Sequence, residues 1–300
     1  MNVLGWLLIV AALVAFVVPF VREGMRPGPV RKGAPGKVAR LSTGETHYRW
    51  IGPVRGPVAV LIHGIATPAV VWDGIAEGLA QTAFRVLVYD LPGRGLSDAA
   101  GGRHDADFYV RHLEELLAHE GLTEDLTLVG YSMGGAIATA FAARNPDRMT
   151  RLVLVAPAGV VRVEAPLDAV MRRVPVLGDW LHAVVAPVHA ARHLGEPGPV
   201  ADARAAQARR RGHFPTLLAS RRGILSQTQE AEHRAIGKAD VPVLAIWGSD
   251  DRAIPLRGLG TLAQWNRNAR QEVVEGADHA LPMTHPEAVV TAMRTSLREV

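Results

Sequence analysis

The sequence predicts an α/β protein, and three observations carry the expectation. Short apolar runs read as buried strands, Val58-Ala59-Val60-Leu61-Ile62 being fully apolar and Val241-Pro242-Val243-Leu244-Ala245-Ile246-Trp247-Gly248 being β-rich and closed by glycine. Between the apolar residues Leu126, Leu128 and Val129 and the helix-forming stretch from Gly135 to Ala143 lies Gly130-Tyr131-Ser132-Met133-Gly134, a strand, a tight turn and a helix with a serine on the turn. Finally, 300 residues with 48% hydrophobic content can bury one large core, and single α/β domains of this size are common.

Composition narrows the chemistry. With 21% charged residues and 30 glycines the chain suits a globular enzyme, not a disordered segment. The absence of cysteine excludes disulfides, a cysteine nucleophile and thiolate metal sites, while leaving the redox compartment undecided. No H-E-x-x-H, Walker A or G-x-G-x-x-G motif is present, so zinc hydrolysis and nucleotide chemistry have no support and no cofactor or metal is expected. The net charge is +4, yet the arginines are scattered without an aromatic-basic platform, which argues against a nucleic-acid partner. No internal repeat is evident.

Taken in chain order, Val3 to Val21 is free of charge and, as a helix, spans about 28 Å, close to the roughly 30 Å hydrocarbon core of a bilayer. The expected role is a retained membrane anchor over residues 1–21, because the basic n-region and A-x-A site of a cleaved signal are missing. Arg22, Arg26, Arg31, Lys32, Lys37 and Arg40 crowd its C-terminal flank, which places the remainder on the cytoplasmic side of a bacterial-type inner membrane. Residues 22–40, rich in glycine and proline from Gly24 to Gly36, read as a linker. A first part of the core, 41–157, holds the strands at Val58–Ile62, Arg85–Tyr89, Leu126–Val129 and Arg151–Val155. Residues 158–239 show helical spacing and no strand run, with Leu167, Val170, Met171, Val174, Leu177, Trp180, Leu181, Val184 and Val185 on an apolar face, and read as a helical cap. The basic stretch Arg209-Arg210-Arg211 with Arg221-Arg222 reads as a solvated helix face, with contact to anionic headgroups as the alternative. The second part of the core, 240–300, holds the strands at Val241 and at Gln271–Glu275, and Thr284-His285-Pro286-Glu287 reads as a capping box opening the last helix.

A serine nucleophile requires a base to take its proton and an acid to orient the base. Asp251 follows the strand that ends at Gly248, and His279 follows the strand at Gln271, so Ser132, Asp251 and His279 occur in the order serine, acid, histidine. Each has a rival. Asp250 adjoins Asp251, His285 lies near His279, and Asp90 also follows a strand but precedes the serine and reads as a locally bonded turn residue.

With these residues in place the chain resembles the α/β-hydrolases with a serine nucleophile, the group of lipases, esterases and cofactor-free peroxidase-like enzymes, from about residue 40 to the C-terminus apart from the insertion. Gly130 to Gly134 matches the nucleophile elbow, His63-Gly64-Ile65 the oxyanion turn, Asp90-Leu91-Pro92-Gly93-Arg94-Gly95-Leu96-Ser97 the Asp-x-Pro-Gly-x-Gly-x-Ser loop, and Gly248 to Asp251 the family's Gly-x-x-Asp pattern. The resemblance implies a mostly parallel eight-stranded sheet flanked by helices with the site at the carboxyl ends of its strands. It implies a catalytic Ser132, Asp251 and His279, with the N–H groups of Ile65 and Met133 as oxyanion donors. The implied activity is hydrolysis of carboxylic esters through an acyl-enzyme, with lipid-derived esters such as monoacylglycerols favoured by the anchor. A carbon–carbon bond hydrolase, a peroxidase-like perhydrolase and a non-catalytic ligand-binding module remain as alternatives, whereas serine at the elbow argues against the dehalogenases and epoxide hydrolases that carry aspartate there.

Overall fold

The computed structural model describes residues 2–192 and 198–298. Among them eight strands form one sheet: β1 (Lys37–Leu41), β2 (Gly44–Ile51), β3 (Val58–Ile62), β4 (Arg85–Tyr89), β5 (Leu126–Tyr131), β6 (Met149–Val155), β7 (Val243–Gly248) and β8 (Arg270–Val274). Their spatial order is β1-β2-β4-β3-β5-β6-β7-β8. The first three neighbours pair antiparallel, and from β4 to β8 every pairing is parallel. A sheet buried on both faces requires apolar residues at every position, which is why its central strands read as unbroken apolar runs. Ala59, Leu61, Val86, Val88, Val129, Val153 and Ile246 pack on one side, and Val60, Ile62, Leu87, Leu128, Leu152 and Ala245 on the other.

The helices are α1 (Val3–Gly24), α2 (Asp73–Ala80), α3 (Ala106–His119), α4 (Met133–Arg144), α5 (Pro166–Arg173), α6 (Leu177–Arg192), α7 (Pro199–Ala208), α8 (His213–Arg222), α9 (Glu230–Lys238), α10 (Arg257–Trp265), α11 (Leu281–Thr284) and α12 (Pro286–Arg298). Leu79 of α2 and Val289 of α12 belong to the first face's core, while Leu116 of α3, Phe141 of α4, Ile236 of α9 and Leu262 of α10 belong to the second. Crossovers between parallel strands run over the faces, so each strand's carboxyl end opens at the same edge of the sheet. Helices α5 to α8 lie between β6 and β7 and cover that edge. Helix α1 is 22 residues long and apolar enough to cross a membrane, a test that the helix of a signal sequence also passes.

Three details depart from the sequence reading. Strand β1 starts at Lys37, inside the segment read as linker, and it escapes notice because an edge strand with only Ala39 buried has no apolar run. Helix α9 falls within the range assigned to the cap, yet Ile236 is fully buried against the sheet's second face and α9 packs on α4, so it belongs to the sheet's flanking layer. The expected capping box does not form: Thr284 ends α11 and its hydroxyl donates to the Ala280 carbonyl, while α12 starts at Pro286, whose missing N–H suits the first turn.

Six histidines are buried as neutral groups, and burial lowers each: His63, His104, His182 and His233 to about 4, His112 and His213 to about 3. Between these values and the ordinary histidine value of about 6.5 the unfolded chain binds protons that the folded chain refuses. Stability is therefore highest above that ordinary value and falls as pH drops, by about 1.4 kcal/mol per pH unit for each histidine so affected. The denaturation midpoint is expected to fall steeply from pH 6.5 to pH 4; a midpoint that stays level across this window would contradict the burial of these rings as neutral groups.

Candidate active site

Ser132 occupies the junction of β5 and α4 at φ 52° and ψ −117°, a backbone that L-residues rarely adopt. The conformation is held from both sides: the Ser132 N–H donates to the Val155 carbonyl at 3.0 Å, and its carbonyl accepts from Gly135 at 2.9 Å and Ala158 at 3.0 Å. Glycine is obligatory on the helix side. A Cβ at Gly134 would stand 1.9 Å from the Ile62 carbonyl oxygen, and one at Gly130 would stand 2.4 Å from that of Gly134. The sequence therefore buys a strained serine with two side chains removed.

The structure brings Ser132, His279 and Asp251 into one row. His279 Nε2 lies 3.1 Å from Ser132 Oγ, and His279 Nδ1 lies 2.7 Å from Asp251 Oδ2. The Asp251 side chain is fully buried, and its other oxygen accepts the N–H groups of Ala253 and Ile254, each at 2.8 Å. A carboxylate fixed in this way places the imidazole proton on Nδ1 and turns the Nε2 lone pair to the serine hydroxyl. Close approach of two strand-exit turns makes the pair possible, because a Cβ at Gly248 would meet the Ala277 carbonyl at 2.3 Å. The Tyr131 hydroxyl donates to the His279 carbonyl at 2.6 Å, so the elbow also holds the histidine turn.

The rivals sit elsewhere. Asp250 is exposed and accepts the Ser249 hydroxyl at 3.1 Å. His285 bonds the neighbouring Thr284 hydroxyl at 2.9 Å. Asp90 is buried away from the row: Oδ1 accepts from Ala69, and Oδ2 from Leu96 and His47. Burial pushes its carboxyl up, but these hydrogen bonds and the nearby His63 outweigh that and leave it below the ordinary carboxylate value. His63 is structural: Nε2 accepts the Leu91 N–H at 2.9 Å and Nδ1 donates to the Gly64 carbonyl at 2.8 Å.

Ile65 and Met133 flank the serine, Ile65 in the turn after β3 and Met133 at the first position of α4. Among the described residues neither N–H is donated to a protein acceptor. Ile65, Ser132 and His279 line one cavity of about 340 Å³, with Val161, Leu225 and Ile254 as apolar wall. A second cavity of about 470 Å³ lies within the cap, and the two share Asp168 and Arg221, which form an ion pair. Among the described residues no cluster of His, Asp and Glu is placed to hold a metal ion.

One residue at the site was not singled out in the sequence. Arg94 is fully buried; Nε donates to the Ile65 carbonyl at 2.9 Å, Nη1 to the Pro92 carbonyl at 2.7 Å, and Nη2 to the Ser220 hydroxyl at 2.7 Å on cap helix α8. All of these partners are neutral, and burial lowers its basicity. The available signal was the flanking glycines, since a Cβ at Gly93 would meet the Thr216 hydroxyl at 2.2 Å and one at Gly95 the Asp90 carboxylate at 1.8 Å, leaving the loop no room to move outward.

A family model described as the alpha/beta hydrolase fold matches residues 57–198 and 199–286. A pimeloyl-[acyl-carrier protein] methyl ester esterase of Vibrio vulnificus is 27% identical over 81% of this chain and 95% of the relative. A bifunctional esterase/perhydrolase of Acinetobacter calcoaceticus is 26% identical over 82% of this chain and 93% of its own length. The solved structure of an enol-lactonase from Burkholderia xenovorans superposes with a TM-score of 0.70 at 26% identity, covering 87% of this chain and all of that one.

Because the Arg94 Nε–H holds the Ile65 carbonyl while its two other nitrogens hold Pro92 and Ser220, the guanidinium restrains the turn that carries the Ile65 N–H. Arg94→Lys keeps the charge and removes the fork, and is expected to lower kcat on a short-chain ester by roughly ten- to a hundredfold, less than the hundred- to thousandfold typical of losing an oxyanion donor outright. An unchanged kcat in a folded variant would show that the turn holds its position without the guanidinium.

Proposed function

The chain belongs to the α/β-hydrolase fold family and is a carboxylic ester hydrolase, and from that premise we propose that it works through Ser132, His279 and Asp251 on lipid-derived esters such as monoacylglycerols. The single observation that carries the mechanism is the hydrogen-bonded row from the Ser132 hydroxyl to the buried Asp251 carboxylate, with Ser132 open to a cavity.

In the first half-reaction Ser132 Oγ attacks the ester carbonyl carbon while His279 Nε2 accepts the hydroxyl proton. Negative charge gathers on the former carbonyl oxygen, where the N–H groups of Ile65 and Met133 are free to receive it; Met133 adds the positive end of α4. Collapse breaks the bond to the alcohol oxygen, which leaves with the proton from His279. Water then attacks the acyl-enzyme with His279 again as base, releasing the acid and restoring Ser132. Asp251 stabilises the imidazolium in both halves without taking the proton.

The apolar cavities and the membrane-length α1 support a substrate with an acyl chain, and support a single-pass anchor whose basic flank puts the catalytic domain on the cytoplasmic side. The esterase relatives support hydrolysis of a simple alkyl ester as the underlying chemistry. A second reading is favoured by the esterase/perhydrolase relative: hydrogen peroxide in place of water at the deacylation step would release a peracid from the same acyl-enzyme.

An acyl-chain series of nitrophenyl esters and monoacylglycerols on the detergent-solubilised protein, repeated with peroxide, tests the substrate class; a preference for the shortest chains and no turnover of monoacylglycerol would overturn the lipid reading. Ser132→Ala is expected to reduce turnover by about a millionfold. Asp251→Asn is expected to cost roughly ten-thousandfold through the wrong imidazole tautomer, and Asp250→Asn far less. Equal losses at the two aspartates would contradict the assigned roles.

A further inference from the structure

Helix α1 does not stand free of the rest of the chain. Pro19 lies inside it and has no N–H, so the Ala15 carbonyl one turn earlier loses its helical partner. The indole N–H of Trp180 in cap helix α6 donates to that carbonyl at 3.1 Å. Further along, the Glu23 carboxylate accepts the Gly212 N–H, Arg26 donates to the Ala208 carbonyl and lies over the Phe214 ring, and the Arg211 N–H donates to the Pro27 carbonyl. The cap is therefore seated along the second half of the apolar helix. Seven residues separate Ala15 from the first charge, Arg22, so Trp180 reaches about 10 Å beyond the level of Arg22 toward the helix's apolar middle.

The surface around this seat is apolar. Among the described residues, eight large apolar side chains between Val163 and Val188 are exposed, against four elsewhere beyond residue 31: Val38, Val54, Leu256 and Val273. Val176, 62% exposed, precedes α6 at φ 63°, an unusual backbone for a β-branched residue. The cavities also form a series. A groove of about 770 Å³ between α1 and the cap is lined by Pro19, Phe20, Val184, Val188, Phe214 and Leu218, with Arg22 and Arg103 on its walls beside the pairs Arg26–Glu23 and Arg222–Asp179. It shares His182 and Phe214 with the cap cavity, which in turn shares Asp168 and Arg221 with the cavity at Ser132.

We propose that the cap is itself a membrane-docking element: its apolar face between Val163 and Val188 lies in the bilayer interface beside α1, and the groove between α1 and α6 opens there to admit a lipid acyl chain toward Ser132. This rests on the reading of α1 as a membrane helix and deepens it. The bilayer is the occupant because the face is continuous with a helix none of whose apolar residues is buried, and because Arg22, at the end of that helix's uncharged stretch, stands on the same groove, where it can meet an anionic headgroup. A spanning helix alone would leave the cap in water. Seated at Ala15, the cap cannot stay there unless α1 leaves the bilayer early.

The chain has no cysteine, so single thiols can be placed at will. In the full-length protein, Val176→Cys, Val10→Cys and Val54→Cys, each carrying a nitrobenzoxadiazole label, are reconstituted in phosphatidylcholine–phosphatidylglycerol vesicles with and without doxyl-labelled lipid. Val54 precedes β3 at the edge of the sheet opposite the cap and reports water. The expected result is a blue-shifted, doxyl-quenched label at positions 176 and 10, and neither effect at 54. Quenching at 10 with position 176 as aqueous as 54 overturns cap docking and leaves the anchor in place; absence of quenching at both overturns the two together. Concentration-dependent self-quenching at 176 without a doxyl effect assigns the face to a second copy and also overturns the proposal. Ester hydrolysis by the unlabelled protein is measured independently of all three.

Discussion

The fold's working edge depends on one close approach, the contact of α4 with the exit of β3 beneath Ser132. With glycine at position 134 the helix lies against the Ile62 carbonyl at a distance where even a methyl group would overlap. That contact aims the start of α4 at the same spot as the turn holding Ile65, and it forces Ser132 into a left-handed backbone that the Val155 and Ala158 bonds stabilise. Ile65 and Ser132 then line one cavity, and among the described residues the N–H groups of Ile65 and Met133 have no protein acceptor. Neither could be repositioned without undoing the packing of α4 on the second face of the sheet.

Around this point the loops at the strand ends are cross-linked by buried polar groups, not by a wider apolar contact. Asp90 ties β2 through His47, the turn before α2 through Ala69, and its own loop through Leu96. Arg94 ties that loop to Ile65 and to α8 of the cap. Gln207 of α7 adds a further link, donating to the Ala66 carbonyl at 2.7 Å and accepting the Gly95 N–H at 2.9 Å. A buried charge that is hydrogen-bonded throughout is costly to displace, so these groups fix one arrangement of cap and sheet where apolar contact alone would tolerate several. The arrangement of the cap thus bears on the reacting groups through the Ile65 turn.

The N-terminal helix is joined to the same assembly. Proline in α1 frees a carbonyl, and the cap supplies the donor. A carbonyl that a proline has left without its helical partner is satisfied in this way from another part of the chain. Three cavities lie in turn at α1, in the cap and at Ser132, and neighbouring ones share walls, the Asp168–Arg221 ion pair in one case and His182 with Phe214 in the other.

The sequence by itself determined the six strands from β3 to β8, their alternation with helices and the residues that leave their carboxyl ends. This follows from a physical regularity: a strand buried on both faces must be apolar throughout, and parallel strands release their exit turns at one edge, so Ser132, Asp251, His279 and the Ile65 turn had to lie near one another. Tertiary structure alone decided matters set by which surfaces meet. It closed the distance between the Asp251 carboxylate, already favoured by its spacing from Gly248, and the imidazole 28 residues later, and left Asp250 exposed. It buried Arg94, assigned α9 to the sheet instead of the cap, and began the sheet at Lys37 on an edge strand with one buried residue. It also seated the cap on α1. In each of these the local sequence is compatible with water, and only the neighbour that arrives from a distant part of the chain removes it.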